Sequence, residues 1–351
     1  MIGCDLGLAS CTCCQAGFGK SGARFIVSTI FAVNMIGWFG IQNGVCGEAF
    51  SNAMLAMTGW DIPVVVSNTI WGIIMLLTAV YGVHALEKLD KISIPLLMII
   101  MCYGTFLAFK VYGTGNLNDE GTVQSMSFMS GVALSFNFTA VGTITGPDYT
   151  RFQKSRKDTV KSVFYGVFPM GVITLIMGIV LTKLSGQYDI SMVLIEVGLP
   201  LLGIIALVIS TWTTNSTNAY SAGLNIVMAL KLKDNRRREA TLISGIVGIV
   251  LCDLGILGHV EGVLSLLSYV VCPVGGVILA DYWVVGKGKA KNFRPQDGVN
   301  WAGVIAWALG AIISYTLVKI EFVGIIIGFV IYLIAERFIP SASRDNAENI
   351  A

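Results

Sequence analysis

Thr211, Trp212, Thr213, Thr214, Asn215, Ser216, Thr217 and Asn218 are eight consecutive residues that can hydrogen-bond. They lie between the apolar run Leu201 to Ile209 and the mostly apolar stretch Ala222 to Leu230. Hydrocarbon offers no water, so each of these groups needs a partner inside the protein or in a wet cavity. A polar block at such a depth points first to a path for a solute or an ion. Ser210, Thr213, Thr214 and Thr217 share one helical face by their i, i+3, i+4, i+7 spacing. Hydroxyls and backbone carbonyls can ligate a hard alkali cation such as Na+ without fixed charge. The plainer alternative is that each hydroxyl bonds back to a carbonyl one turn earlier. That accounts for one or two hydroxyls better than for eight polar residues in a row. Asn215 and Asn218 point away from the hydroxyl face, toward a possible substrate cavity.

Two further segments carry comparable chemistry. Asn34, Trp38 and Gln42 are spaced by four and fall on one helical face within a glycine-flanked motif, Gly37-Trp38-Phe39-Gly40-Ile41-Gln42-Asn43-Gly44. An aromatic platform beside amide donors and acceptors suits a flat heteroaromatic ligand. Taken alone, the segment reads first as glycine-mediated helix packing. In Ser135 to Asp148, Thr and Gly recur and Gly146-Pro147 ends the apolar stretch. A helix weakened there could expose backbone to a substrate, with Phe138 as a second aromatic face opposite Trp38 and Asn137 as its hydrogen-bonding neighbour. Ordinary packing of a mobile helix is the alternative. Asp148 and Arg151 are three apart and read as a structural or gating pair.

The elements that position these groups follow from composition. The 351 residues are 55% hydrophobic and 13% charged, with mean hydropathy +0.76, whereas soluble domains carry about 25% charge. The chain is expected to be an all-α, polytopic membrane protein. A span needs about 20 mostly apolar residues, and ten stretches qualify: 25–46, 63–86, 92–113, 127–147, 160–183, 198–230, 241–258, 262–285, 301–317 and 320–338. The sixth is long, and its polar centre predicts a local irregularity. Segment 190–197 reads as a short helix at the interface. If Lys20 and Arg24 are cytoplasmic, alternation puts every other Lys and Arg except Lys110, Lys183 and Lys319 on that side too, the tail with Arg344 included. Asp61, Asp119, Glu120, Asp189 and Glu261 fall in the opposite loops. The expected location is the inner or plasma membrane, with basic loops and C-terminus cytoplasmic, and the expected state is a monomer.

Other chemistries find little support. A net charge of +2 gives no argument for nucleic acid, and two His make a histidine metal site improbable. Cys11-Thr12-Cys13-Cys14, with Cys4, fits no zinc spacing, and the eight cysteines are not a disulfide framework. Neither Gly3 to Gly7 nor Gly17 to Gly22 is a phosphate loop. No signal peptide follows Met1. No His, Cys or carboxylate cluster sits at one depth, so an enzyme is not expected. No carboxylate lies clearly at mid-span, which favours Na+ over H+ coupling.

Taken together, Gly37-Trp38-Phe39-Gly40, Gly142-Thr143-Ile144-Thr145 leading to Asp148-Tyr149-Thr150-Arg151-Phe152, Trp212-Thr213-Thr214-Asn215, and Pro273 to Tyr282 resemble the nucleobase–cation symporters, and within them the cytosine permease branch. The resemblance implies an inverted-repeat transporter core of the 5+5 type with two additional C-terminal helices, worked by alternating access. It implies a base sandwiched between Trp38 and Phe138, with Asn137 and Asn215 on its edge and Ser210, Thr213 and Thr214 ligating sodium. Gln42 matches a substrate-contacting glutamine of the related hydantoin transporter. Cytosine permeases place a glutamine three residues before the tryptophan, where Met35 stands here, so the particular base stays open.

The resemblance also divides the chain. Residues 1–23 correspond to the end of the family's second helix and a cytoplasmic loop, 24–286 to the core from the third helix to the tenth, 287–300 to a cytoplasmic loop, 301–338 to the accessory helices and 339–351 to a tail. The family's first helix and most of its second have no counterpart. The expected function is import of a nucleobase such as cytosine, or a related planar heterocycle, with Na+ or H+ and no further cofactor. The alternatives are a truncated membrane protein that binds or senses without transporting, and an amino-acid transporter of the same architecture.

Overall fold

The computed structural model describes residues 1–118, 127–187 and 190–339, apart from the side chains at positions 83–85, 116, 118 and 234. Asp119, Glu120, Asp189 and the tail with Arg344 lie outside the described residues. The described residues are helical, with no strand among them. A long helix overlaps each expected span, α1 running well past the end of its stretch and α3 starting well before its own: α1 Ser28–Thr58, α2 Val64–Tyr81, α3 Val83–Tyr112, α4 Phe128–Ile144, α5 Phe168–Ser185, α6 Pro200–Ala229, α7 Arg237–Asp253, α8 Val260–Leu279, α9 Trp301–Ile313 and α10 Val323–Phe338. The short helix expected at 190–197 is Ile190–Glu196. Six continuous helical stretches, those containing α1, α2, α3, α5, α8 and α9, are long and apolar enough to cross a membrane. α6 carries the polar block, and α7 and α10 have 17 and 16 residues, about a turn less than a full crossing.

α1, α2, α6 and α7 form one body in which every pair is in contact. Their lengths repeat: 31 residues then 18, and later 30 then 17. This is what two copies of one helix pair would give. α8, α9 and α10 pack on one another, α4 leans on α8, and α3 joins α5 and α6.

Glycines set the closest approaches. A Cβ on Gly276 would lie 2.2 Å from the Ile325 carbonyl oxygen, so the Pro273 to Gly276 motif seats α8 directly on the backbone of α10. Gly40 similarly faces the Gly248 carbonyl of α7 at 3.0 Å, which is the packing role its motif suggests on its own. Before α1, the helix Gln15–Gly22 kinks at Gly19 (φ 75°). The kink pairs with the loop after α8: Lys20 N donates to Gln296 O at 2.7 Å and Asn300 N to Phe18 O at 2.8 Å.

Two expectations about helix irregularity are corrected. α6 runs unbroken through its polar centre, because neighbouring helices and its own carbonyls satisfy the polar groups. α4 is likewise unbroken from Phe128 to Ile144, with Thr139 and Thr143 bonding back to Phe136 and Thr139 carbonyls at 3.1 and 2.9 Å. It ends where Gly146-Pro147 was expected to end it.

Candidate functional site

The structure brings Trp38 of α1 and Phe138 of α4 together. Their ring centroids are 5.8 Å apart and the planes are tilted by 56°. A base stacked on both faces needs about 3.5 Å on each side, roughly 7 Å in all, so here the rings touch each other and leave no slot. Trp38 is 8% exposed and held in the core, whereas Phe138 is 54% exposed. Beside each ring stands a buried amide oxygen with no hydrogen-bond partner among the described residues. One is Asn34 Oδ1, a turn before Trp38, and the other is Asn137 Oδ1, next to Phe138. Asn34 spends Nδ2 on the Ile30 carbonyl at 2.9 Å. Two unmatched acceptors on the two helices that carry the aromatic pair suit a flat solute with N–H donors. Gln42, one turn after Trp38, is half-buried.

The block from Thr211 to Asn218 is differently employed. Asn215 is fully buried, donates to the Phe39 carbonyl at 3.0 Å and to the Met75 thioether at 3.6 Å, and accepts from Asn218 at 3.4 Å. Ser216 donates to Met75 O at 3.0 Å, and Trp212 Nε1 to Thr78 Oγ1 at 2.9 Å. Thr211 bonds back to Leu207 O at 2.8 Å. Three of the eight, Trp212, Asn215 and Ser216, therefore form the hydrogen-bonded seam of α6 with α1 and α2, and Asn218 backs Asn215. The expectation that Asn215 meets a base edge must be adjusted: its amide is committed to that seam, and Asn218 is the more accessible of the two.

Ser210, Thr213, Thr214 and Thr217 do lie on the more open face of α6, Thr214 being exposed. Ser210 donates to Leu207 O at 3.0 Å, Thr213 and Thr214 to Ser210 O at 3.0 Å each, and Thr217 to Thr213 O at 3.1 Å. The back-bonding alternative thus holds for all four. It does not remove the cation reading, because a hydroxyl that donates its proton to a carbonyl keeps its oxygen lone pairs free to ligate.

At the end with the basic loops, a second polar cluster ties distant segments together. Arg156 Nε donates to Asp5 Oδ1 at 2.7 Å, and Tyr282 Oη donates to Asp5 Oδ2 at 2.5 Å. Burial raises the Asp5 carboxyl, but the Arg156 and Tyr282 hydrogen bonds outweigh it and hold the group below its ordinary range. Sequence reasoning missed this cluster. The one available signal was that Asp5 is the sole acid before Glu48. Asp148 does not pair with Arg151 as expected. Its Oδ1 accepts from Ser10 N at 2.7 Å, capping the short helix Ser10–Cys13, while Arg151 stacks on Phe152 at 4.7 Å. Burial pushes Asp148 up, against its Ser10 bonds and the pull of Arg151. Burial likewise pushes the Cys11 and Cys13 thiols up to about 12, which makes them poor nucleophiles.

Comparison with known proteins gives one consistent answer. Residues 1–336 match the family described as permeases for cytosine/purines, uracil, thiamine and allantoin. The cytosine permease of Escherichia coli K12 is 31% identical over 333 residues, covering 93% of this chain and 76% of its own. The allantoin permease of Bacillus subtilis 168 is 25% identical over 383 residues, covering 94% and 77%. Among solved structures, Mhp1, a nucleobase-cation-symport-1 family transporter in a closed conformation with bromovinylhydantoin bound, superposes with TM-score 0.77 at 19% identity, covering 96% of this chain and 80% of its own. The inward-facing conformation of Mhp1 matches equally well.

Proposed function

Because the chain belongs to the permease family for cytosine/purines, uracil, thiamine and allantoin, we propose that it imports a nucleobase or related planar heterocycle with Na+ or H+ by alternating access. The carrying observation is the meeting of Trp38 and Phe138, on helices that also carry the unmatched Asn34 and Asn137 oxygens. In this reading Phe138 swings out, the base enters against Trp38, and Phe138 closes over it. Asn137 and Gln42 meet its polar edge, with Asn215 behind them holding α6 in register. An edge that failed to match would leave a buried polar group unpaired, which is how amides select one base over another.

Ser210, Thr213 and Thr214 are the proposed cation ligands. Of the buried carboxylates, Glu321 sits in the turn before α10 and Glu336 in the last turn of α10, so neither replaces the hydroxyl stripe as a mid-span coupling site. Cation and base would each stabilise the closed arrangement and so raise each other's affinity. The hydantoin bound in Mhp1 supports a flat, N–H-bearing heterocycle as the solute class.

The test is uptake by the purified protein in liposomes. Labelled cytosine is offered under a Na+ gradient or a pH gradient, with uracil, purines, allantoin and hydantoin as competitors, and binding is measured separately. Gradient-driven accumulation blocked by one member of the panel is expected. Binding without accumulation would favour a receptor-like role, and no binding of any planar heterocycle would sink the proposal.

A further inference from the structure

Beyond the transported solute, we propose that this protein binds an anionic phospholipid in a cavity at the start of the helical stretch leading into α5. The cavity is a shallow, open depression of about 520 Å³ on the protein surface, lined by Arg156, Lys157, Val160, Lys161, Phe164 and Tyr165. These positions recur at one and four residues, so they form one face of a single helix. Cations occupy its first turns and apolar groups the next.

Lys157 and Lys161 are exposed and make no ion pair among the described residues. The nearest acid in sequence, Asp158, accepts from Ser155 Oγ at 2.8 Å and faces its own helix start. Asp5, the other acid nearby, is taken up by Arg156 and Tyr282. Two cations are thus left over for an incoming anion.

The apolar half fits a lipid rather than a free anion. Phe164 and Tyr165 are 64% and 78% exposed. They belong to a π-helical segment, Ser162–Val167, whose wider turn displaces side chains from the regular helical positions. The most apolar window of Arg156–Ser185 has none of its residues buried among the described residues, which leaves its apolar side chains open to acyl chains in a bilayer. That depth puts the basic turns among the headgroups. A phosphodiester would sit between Lys157 and Lys161, with the glycerol and first methylenes against Val160, Phe164 and Tyr165. Inorganic phosphate could use only the first half of this site.

The full chain, purified in detergent, would be titrated with dioleoylphosphatidylglycerol or dioleoylphosphatidylcholine, and bound lipids counted by native mass spectrometry. Phosphatidylglycerol is expected to be retained about tenfold better. The double substitution Lys157→Gln with Lys161→Gln should abolish that preference, as expected from losing two interfacial cations. Lys157→Arg with Lys161→Arg should keep it, as should Lys231→Gln with Lys233→Gln in another basic loop. If the double glutamine variant does not fold, each single variant should still lose about half of the preference on a logarithmic scale. Equal retention of the two lipids by the unmodified protein, an unchanged preference in the glutamine variants, or displacement of phosphatidylglycerol by equimolar inorganic phosphate would overturn the proposal.

Discussion

Asn215 of α6 donates its amide proton to the backbone carbonyl of Phe39 on α1, 3.0 Å away and fully buried. The residue that follows Phe39 in the Trp38-Phe39-Gly40 motif packs on α7, and the one that precedes it faces Phe138. One hydrogen bond therefore fixes the height of α6 at the level of the aromatic pair. Asn215→Ala should lower thermal stability in detergent by the equivalent of about 1–2 kcal/mol while leaving the order of competing heterocycles unchanged. A reordered competition panel at unaltered stability would instead mean that the amide touches the solute.

Trp38 and Phe138 should matter unequally. Stacking on one aromatic face contributes about 1–3 kcal/mol, so Trp38→Ala should weaken heterocycle affinity roughly 5- to 150-fold. Trp38→Phe should recover part of it. Phe138 is largely exposed before it closes, so Phe138→Ala should speed solute release while stability holds. Competition binding and stopped-flow release measure the two effects, and an unchanged affinity in Trp38→Ala would discard the stacking assignment.

The hydroxyl stripe makes a separate prediction. If Thr213 and Thr214 ligate sodium, replacing both with Val should raise half-saturating Na+ by on the order of tenfold or more, about the cost of losing polar contacts to a charged group. Thr214→Ser, which keeps the oxygen, should change it little. Uptake as a function of external Na+ decides, and intact sodium dependence in the double Val variant would place the cation elsewhere.

The two carboxylates at the basic end should respond oppositely to acid. Asp5 is held below its ordinary range by Arg156 and Tyr282. Its stabilising effect is therefore present above the usual Asp range and is lost as pH falls through the depressed value. Asp5→Asn should lower the melting temperature at neutral pH, and the difference should shrink toward low pH. Asp148 is raised by burial, so its contribution is present at low pH and lost as pH rises through the raised value. Asp148→Asn, which still accepts from Ser10 N, should cost little at neutral pH. Melting curves from acid to neutral pH compare the two, and parallel behaviour would contradict these assignments.

Glycine substitutions should separate packing from open surface. Gly276→Ala puts a Cβ 2.2 Å from the Ile325 carbonyl oxygen, whereas a Cβ on Gly142 meets nothing within 4 Å. Overpacking at the first should cost about 1–3 kcal/mol and reduce folded yield, while Gly142→Ala should fold normally. Detergent gel filtration would report either outcome.

What the sequence determined by itself was the inventory of helices and their kinship. Ten apolar stretches announce themselves because a bilayer demands length and hydropathy along the chain, a local property. The motifs around Trp38, Ser135 to Asp148, Thr211 to Asn218 and Pro273 to Tyr282 are enough together to suggest the family. The pairing of Trp38 with Phe138 was also within reach, since each stands beside amides in a motif of its own.

The tertiary structure decided how each polar group is used. From the sequence, eight polar residues in oil looked like a solute path. Three of them, Trp212, Asn215 and Ser216, are the hydrogen-bonded seam of α6, with partners Thr78, Phe39 and Met75 more than a hundred residues away in the chain, and the four threonines bond back within the helix. The same distance hid the Asp5, Arg156 and Tyr282 cluster and turned Asp148 from Arg151 toward Ser10. Hydropathy is read along the chain, whereas the satisfaction of a buried donor or acceptor depends on which helices are neighbours. Only the packed fold fixes that.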